Sequence, residues 1–84
     1  METIQSSVIN ILRKYTYGDT AWEKITGASR LIDDLKINSA RIVDIILDTE
    51  ELFGITVEDE LLEKLITIND IVGMIQAKRP QGRN

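Results

Sequence analysis

Apolar residues recur at helical spacing in four stretches of the chain. Ile4, Val8, Ile11, Leu12 and Tyr15 lie at i, i+4, i+7, i+8 and i+11, which predicts an amphipathic helix over roughly Thr3 to Tyr15 with one face turned to a core. Ile42, Ile45, Ile46, Thr49 and Phe53 repeat at i, i+3, i+4, i+7 and i+11. They predict a second helix from about Ser39 to Phe53, with Asn38 as its N-cap and Gly54 ending it. Leu61, Leu62 and Leu65, behind the acids Glu58, Asp59 and Glu60, predict a short third helix capped by Asp59. Ile68, Ile71, Val72 and Ile75 form the stripe of a fourth. Thr67 is its N-cap with Asp70 at the capping-box position, and Lys78, Arg79 and Pro80 close it.

No period is sustained from Tyr17 to Ile37, where Gly18-Asp19 breaks the first pattern. A connection this long is uncommon in a small domain unless its own side chains anchor it or it has work to do. Trp22, Ile25, Leu31, Ile32 and Leu35 are the expected anchors, with short helical turns over Ala21–Ile25 and Ser29–Asp34. Trp22 reads as a lid over one end of the bundle rather than a ligand-stacking ring. Ile55-Thr56-Val57 is β-prone but has no second strand pattern to pair with, so it reads as an extended loop with Ile55 and Val57 buried. The expected fold is all-α, an antiparallel four-helix bundle with a short third helix and a long first loop. It forms one domain over residues 1–78, followed by a short basic tail over 79–84 that is expected to be disordered.

Composition narrows the chemistry. The chain has 84 residues, no cysteine and no histidine, which removes the commonest nucleophile, general base and soft metal ligands. It reads as a protein acted upon rather than an enzyme. Acid pairs such as Asp33-Asp34 and Glu50-Glu51 do not gather the ligand number that a metal site needs. No run approaches the ~20 apolar residues of a membrane span, and Met1-Glu2-Thr3 lacks the features of a signal peptide, so a cytoplasmic protein is expected. The net charge of −4 argues against nucleic acid. Between Asn38 and Lys64 stand eight acids and two bases, a local net of −6, so the middle of the chain is expected to meet basic partners.

Within that acidic middle, Ser39 falls in the first turn of the second helix, where unpaired N–H groups and the helix dipole favour an anion; a phosphate ester there would be well placed. Val43 and Leu47 share the serine's face at i+4 and i+8, fringed by Asp44, Asp48 and Glu51. Because Ile42, Ile45, Ile46 and Phe53 already supply a core stripe, this second row is expected to be a modest docking surface.

Asp33-Asp34-Leu35, Asn38-Ser39-Ala40 and the run Glu50-Glu51-Leu52-Phe53-Gly54-Ile55 together resemble the acyl carrier proteins, over about Ile4 to Ala77. In that family an Asp-Ser-Leu motif opens the second helix, and its serine carries a 4′-phosphopantetheine arm whose thiol holds acyl groups as thioesters. The resemblance implies that Ser39 is the attachment site, with Asn38 the adjacent motif position. It also implies that a phosphopantetheinyl transferase installs the arm from coenzyme A, conventionally with Mg²⁺. Acyl-transferring or acyl-processing enzymes with basic docking patches would then use a monomeric carrier in fatty acid, lipid or related biosynthesis. Ile42, Ile46, Leu62 and Ile71 are the residues expected to part and shelter an acyl chain. Asn38 replaces the usual aspartate, Ala40 the usual leucine, and Arg41 an often acidic position, which points to a specialised carrier. Two alternatives stay open: an aminoacyl or peptidyl carrier, and an unmodified pseudo-carrier that acts only as a protein-binding module.

Overall fold

Helix α1 (Ile4–Arg13) starts where Thr3 and Ser6 cap each other: Thr3 Oγ1 accepts from the Ser6 amide at 3.0 Å and Ser6 Oγ accepts from the Thr3 amide at 3.0 Å. A weak helix former in the sequence pattern, Ser6 thus earns its place as a cap partner. The computed structural model describes residues 3–16, 18 and 20–78. The predicted tail over 79–84 and the expected breaker Asp19 lie outside the described residues.

Apart from a short 3-10 turn in the first connection, four helical segments make up the fold among the described residues, and no strand occurs there. The second segment opens as a 3-10 turn at Ser39–Arg41 and continues as helix α2 (Ile42–Phe53). It stops at Gly54, which adopts φ 66°, ψ 39°, a left-handed conformation that lets its amide return to the Glu50 carbonyl at 2.8 Å. The third segment, Asp59–Lys64, is a 3-10 helix. Its N-cap is Glu58 rather than the expected Asp59, and the Glu58 side chain turns away from the cap to meet Lys78 Nζ at 2.8 Å. The predicted fourth helix is α3 (Ile68–Lys78). Thr67 and Asp70 form the expected reciprocal box, with the Asp70 amide donating to Thr67 Oγ1 at 3.1 Å and the Thr67 amide to Asp70 Oδ2 at 2.9 Å. That same carboxylate also accepts from the Ile66 amide, and these backbone donors hold Asp70 below the ordinary aspartate range.

Helix α1 packs on both α2 and α3. One core runs through them, built on Val8, Ile11 and Leu12 from α1, Ile45, Ile46 and Thr49 from α2, and Ile68, Ile71 and Ile75 from α3. Thr49 is buried without cost to its hydroxyl, which donates to the Ile45 carbonyl at 2.8 Å. Ile55 and Val57 are buried as expected, and the loop carrying them is tied to α2 by the Val57 amide, which donates to Glu50 Oε2 at 2.7 Å.

The long first connection is organised by backbone more than by its apolar side chains. Leu31, Leu35 and Ile37 are buried, whereas Ile32, an expected anchor, is 50 % exposed. A tight turn explains the difference: the amides of Asp34 and Leu35 both donate to the Arg30 carbonyl, and Ile37 donates back to Leu31. Lys36 closes it at φ 60°, a left-handed residue that turns the chain between buried Leu35 and buried Ile37. Trp22, in a 3-10 turn at Trp22–Lys24, is half-buried against the core with the Arg13 guanidinium over its ring at 4.6 Å. An isolated antiparallel bridge joins Arg30 to Thr67. Around it the Leu31 amide donates to the Ile66 carbonyl, Ile68 to Ser29 and Asn69 to Gly27. This tie between the first loop and the start of α3 left no trace in the hydrophobic pattern.

Candidate functional site

The Ile37–Asn38 segment leaves the core and delivers Ser39 to the surface at the start of the second helical segment. Asn38 is extended (φ −64°, ψ 132°) and its Oδ1 accepts from the Ala40 amide at 2.9 Å, while its carbonyl accepts from the Arg41 amide at 2.8 Å. Two of the first-turn donors expected to favour an anion, the Ala40 and Arg41 amides, are therefore already used by Asn38. Ser39 itself is exposed, and its hydroxyl takes part in no hydrogen bond among the described residues.

Ser39 lies on the edge of an apolar groove of about 430 Å³, formed with Ile42 and Val43 of α2, Leu62 of the third segment, Leu65 and Ile66 just after it, and Ile32. Arg30, Asp33 and Glu63 stand at its polar margin, with Arg30 Nη1 and Asp33 Oδ2 3.4 Å apart. Of the residues expected to shelter an acyl chain, the structure brings Ile42 and Leu62 into this groove beside Ser39. Ile46 and Ile71 are not among its walls: Ile46 is 5 % and Ile71 0 % exposed, both inside the closed core. Ile46 sits one turn beyond Ile42 and is rotated inward, and Ile71 lies on the inner stripe of α3. Leu65, Ile66 and Ile32 are the groove residues that the sequence reading missed. Only the meeting of the first loop with the third segment puts them there. A wider open depression of about 890 Å³, bordered by Lys24, Asp34 and Lys36, does not include Ser39.

The five residues expected to form a docking surface part company. Val43 is 51 % and Leu47 55 % exposed, and Glu51 is exposed as well. Asp44 Oδ2 pairs with Arg41 Nη1 at 3.0 Å. Asp48 turns instead toward α1, where its Oδ2 accepts from the Tyr15 hydroxyl at 2.6 Å and meets Lys14 Nζ at 3.1 Å. The hydrogen bond to Asp48 pushes the Tyr15 phenol up to about 12, helped by burial and the carboxylate's charge. The same bond and Lys14 hold Asp48 below the ordinary aspartate range.

This clip carries a pH signature. A depressed carboxylate stabilises the fold above the unfolded aspartate pKa of about 3.9, and that contribution is lost as pH falls through the folded value. A raised phenol stabilises below pH ~10, and its contribution is lost as pH climbs from there toward 12. Tyr15→Phe is expected to cost about 1 kcal/mol at neutral pH, after allowing for the partial exposure of the pair, and to remove the alkaline fall in stability. Urea unfolding at pH 7 and pH 11 for both proteins checks this. An unchanged alkaline fall in the phenylalanine variant would show that the phenol is not its source.

The residues at the site fit a phosphodiester-linked arm. The serine hydroxyl is open, and the neighbouring groove is apolar and of small-ligand size. Among the described residues no helix is long and apolar enough to cross a membrane, and no cluster of three acidic, histidine or cysteine side chains is placed to hold a metal ion. No family model matches the chain. It is 39 % identical over 77 residues to an acyl carrier protein of Thermotoga maritima, covering 92 % of this chain and 93 % of that protein. An acyl carrier protein of Desulforapulum autotrophicum is 34 % identical over 76 residues, covering 90 % and 97 %. One from an Exiguobacterium species is 40 % identical over 55 residues, 66 % of this chain and 70 % of that protein. With likeness of this degree along nearly its whole length, the chain belongs to the acyl carrier protein family.

Proposed function

We propose that this protein carries acyl groups as thioesters on a 4′-phosphopantetheine arm attached to Ser39, presenting them to acyl-processing enzymes of fatty acid, lipid or related biosynthesis. The observation that carries this reading is the open hydroxyl of Ser39 at the rim of the apolar groove between α2 and the third helical segment. When attached, the arm supplies the thiol that holds the acyl group. The chain's own contribution is to hold the hydroxyl clear of competing hydrogen bonds, to fix the first turn through Asn38, and to place apolar walls beside the attachment point.

Attachment asks little else of this chain. The Ser39 oxygen forms a bond to a phosphorus of coenzyme A, the bond from that phosphorus to the nucleotide's remaining phosphate breaks, and the hydroxyl proton must leave. Asn38 is an amide and accepts no proton, so the transferase provides the base. Catalysis belongs to the partners, and the carrier contributes position. The test is treatment with coenzyme A and a broad-specificity transferase, followed by intact mass and peptide mapping. The expected result is a single added phosphopantetheine on the peptide containing Ser39. An unmodified protein under conditions that fully convert another carrier would favour the pseudo-carrier, and an aminoacyl load on protein from the native host would change the cargo.

A further inference from the structure

The charges along the outward face of α2 are cancelled by cations of the chain itself, and Arg41 reverses their sign next to the serine. Asp44 is paired with Arg41 at 3.0 Å, and Asp48 with Lys14 at 3.1 Å and with the Tyr15 hydroxyl. Glu50 is occupied by the Val57 amide. Of the acids on this helix only Glu51 is left without a cation or hydrogen-bond donor among the described residues, and it sits three turns from Ser39. At the serine end, Arg30 and Asp33 pair across the groove margin, and the Arg41 guanidinium stands well exposed. Val43 and Leu47 are exposed along α2 between these ends, and Ile32 and Ile66 are exposed in the groove beside Ser39. The acidity counted along the sequence is therefore largely paired on the α2 side of Ser39, and Glu63 is the acid at the groove margin that meets no cation among the described residues.

We infer that the surface around Ser39 is built for a protein partner that lays apolar side chains on Val43 and Ile66 and sets a carboxylate against Arg41, with any cation of its own placed at the far end, toward Glu51. This rests on the carrier reading of Ser39. The argument is charge complementarity. A basic side chain approaching the first turn meets the exposed Arg41 guanidinium and must compete with it for Asp44, whereas a carboxylate can take the guanidinium donors left beyond its one contact to Asp44. Arg41 is then a specificity-determining residue, excluding partners whose docking patch is uniformly basic.

Kinetics of phosphopantetheine transfer test this with a broad-specificity transferase of basic docking surface as the probe. Arg41→Gln removes the cation and releases Asp44; Arg41→Glu reverses the sign. Transfer to the glutamate variant is expected to be roughly three- to tenfold faster than to the unaltered protein at low salt, with the glutamine variant between them and the differences collapsing at high salt. In the reciprocal arm, reversing to glutamate the transferase's basic residue that faces the carrier's first turn is expected to speed transfer to the unaltered protein and slow it to the glutamate variant. Label at Ser39 at rates independent of residue 41, or fastest for the unaltered protein with the basic transferase, would overturn the inference and leave the carrier reading standing. No label on any of the three proteins would overturn both.

Discussion

Ser39→Ala is expected to abolish phosphopantetheine transfer outright while leaving the fold almost unchanged. The stability half of this follows from the site: the side chain is exposed, its hydroxyl engages nothing among the described residues, and the cap is provided by Asn38 rather than by the serine. Alanine is the best helix former, so the change is expected to lie within a few tenths of a kcal/mol of neutral. The loss of transfer follows from the other serines. Ser6 is locked into the cap of α1, both donating to the Thr3 carbonyl and accepting from the Thr3 amide. Ser29 accepts from the Thr26 amide at 2.9 Å, and Ser7 is engaged as well. None stands beside the groove. Intact mass after transferase treatment and a thermal melt of each protein are the two measurements. Residual labelling of the alanine variant would move the attachment site elsewhere, and a large fall in melting temperature would show that the serine is structural.

The second large effect is expected deep in α3. Ile71→Ala should destabilise the protein by about 2–5 kcal/mol, the range for emptying a fully buried isoleucine site. A domain of 84 residues has roughly 4–13 kcal/mol of total stability, so this is a substantial share of it. Leu62→Ala, at the half-buried lip of the groove, is expected to cost about 1 kcal/mol. Urea unfolding of the two variants separates core from lip. If Ile71→Ala cost no more than Leu62→Ala, the side chain would line an open cleft rather than the closed core, and the groove would extend inward past Ile42.

That contrast shows where reading a sequence stops. Gly54, the Thr67–Asp70 box and the buried pair Ile55 and Val57 were legible because each depends on a few adjacent residues and on backbone chemistry that any helix end shares. The place of Ser39 in the first turn was legible for the same reason, through Asn38 and the pattern of α2. What depended on how helices are rotated against one another was not. Ile42 and Ile46 are one turn apart and chemically identical, and only packing sends the first to the groove and the second into the core. Asp48 looked like a neighbour of Leu47 on an outward face until α1 brought Lys14 and Tyr15 to it. Glu58 and Asp59 offered two equivalent acids for one cap, and Lys78, distant in sequence, engages the first. The exposure of Ile32 depends on a turn that Lys36 closes in a conformation few lysines adopt, which nothing in hydrophobic periodicity encodes.

The bridge between Arg30 and Thr67 acts as a hinge pin. Two of the segments that line the groove, the first loop and the stretch before α3, meet where Leu31 donates to the Ile66 carbonyl and Ile68 to that of Ser29. Ile66 and Arg30 cannot be drawn apart without breaking backbone hydrogen bonds at a partly buried seam. The third segment has looser fastenings: it is a 3-10 helix, a form with poorer hydrogen-bond geometry, and its Glu58 end is held to α3 by an ion pair with Lys78. Leu65, beside the pin, is therefore the more firmly held wall of the groove, and Leu62, several residues away on the segment fastened to α3 by that ion pair, is the looser one.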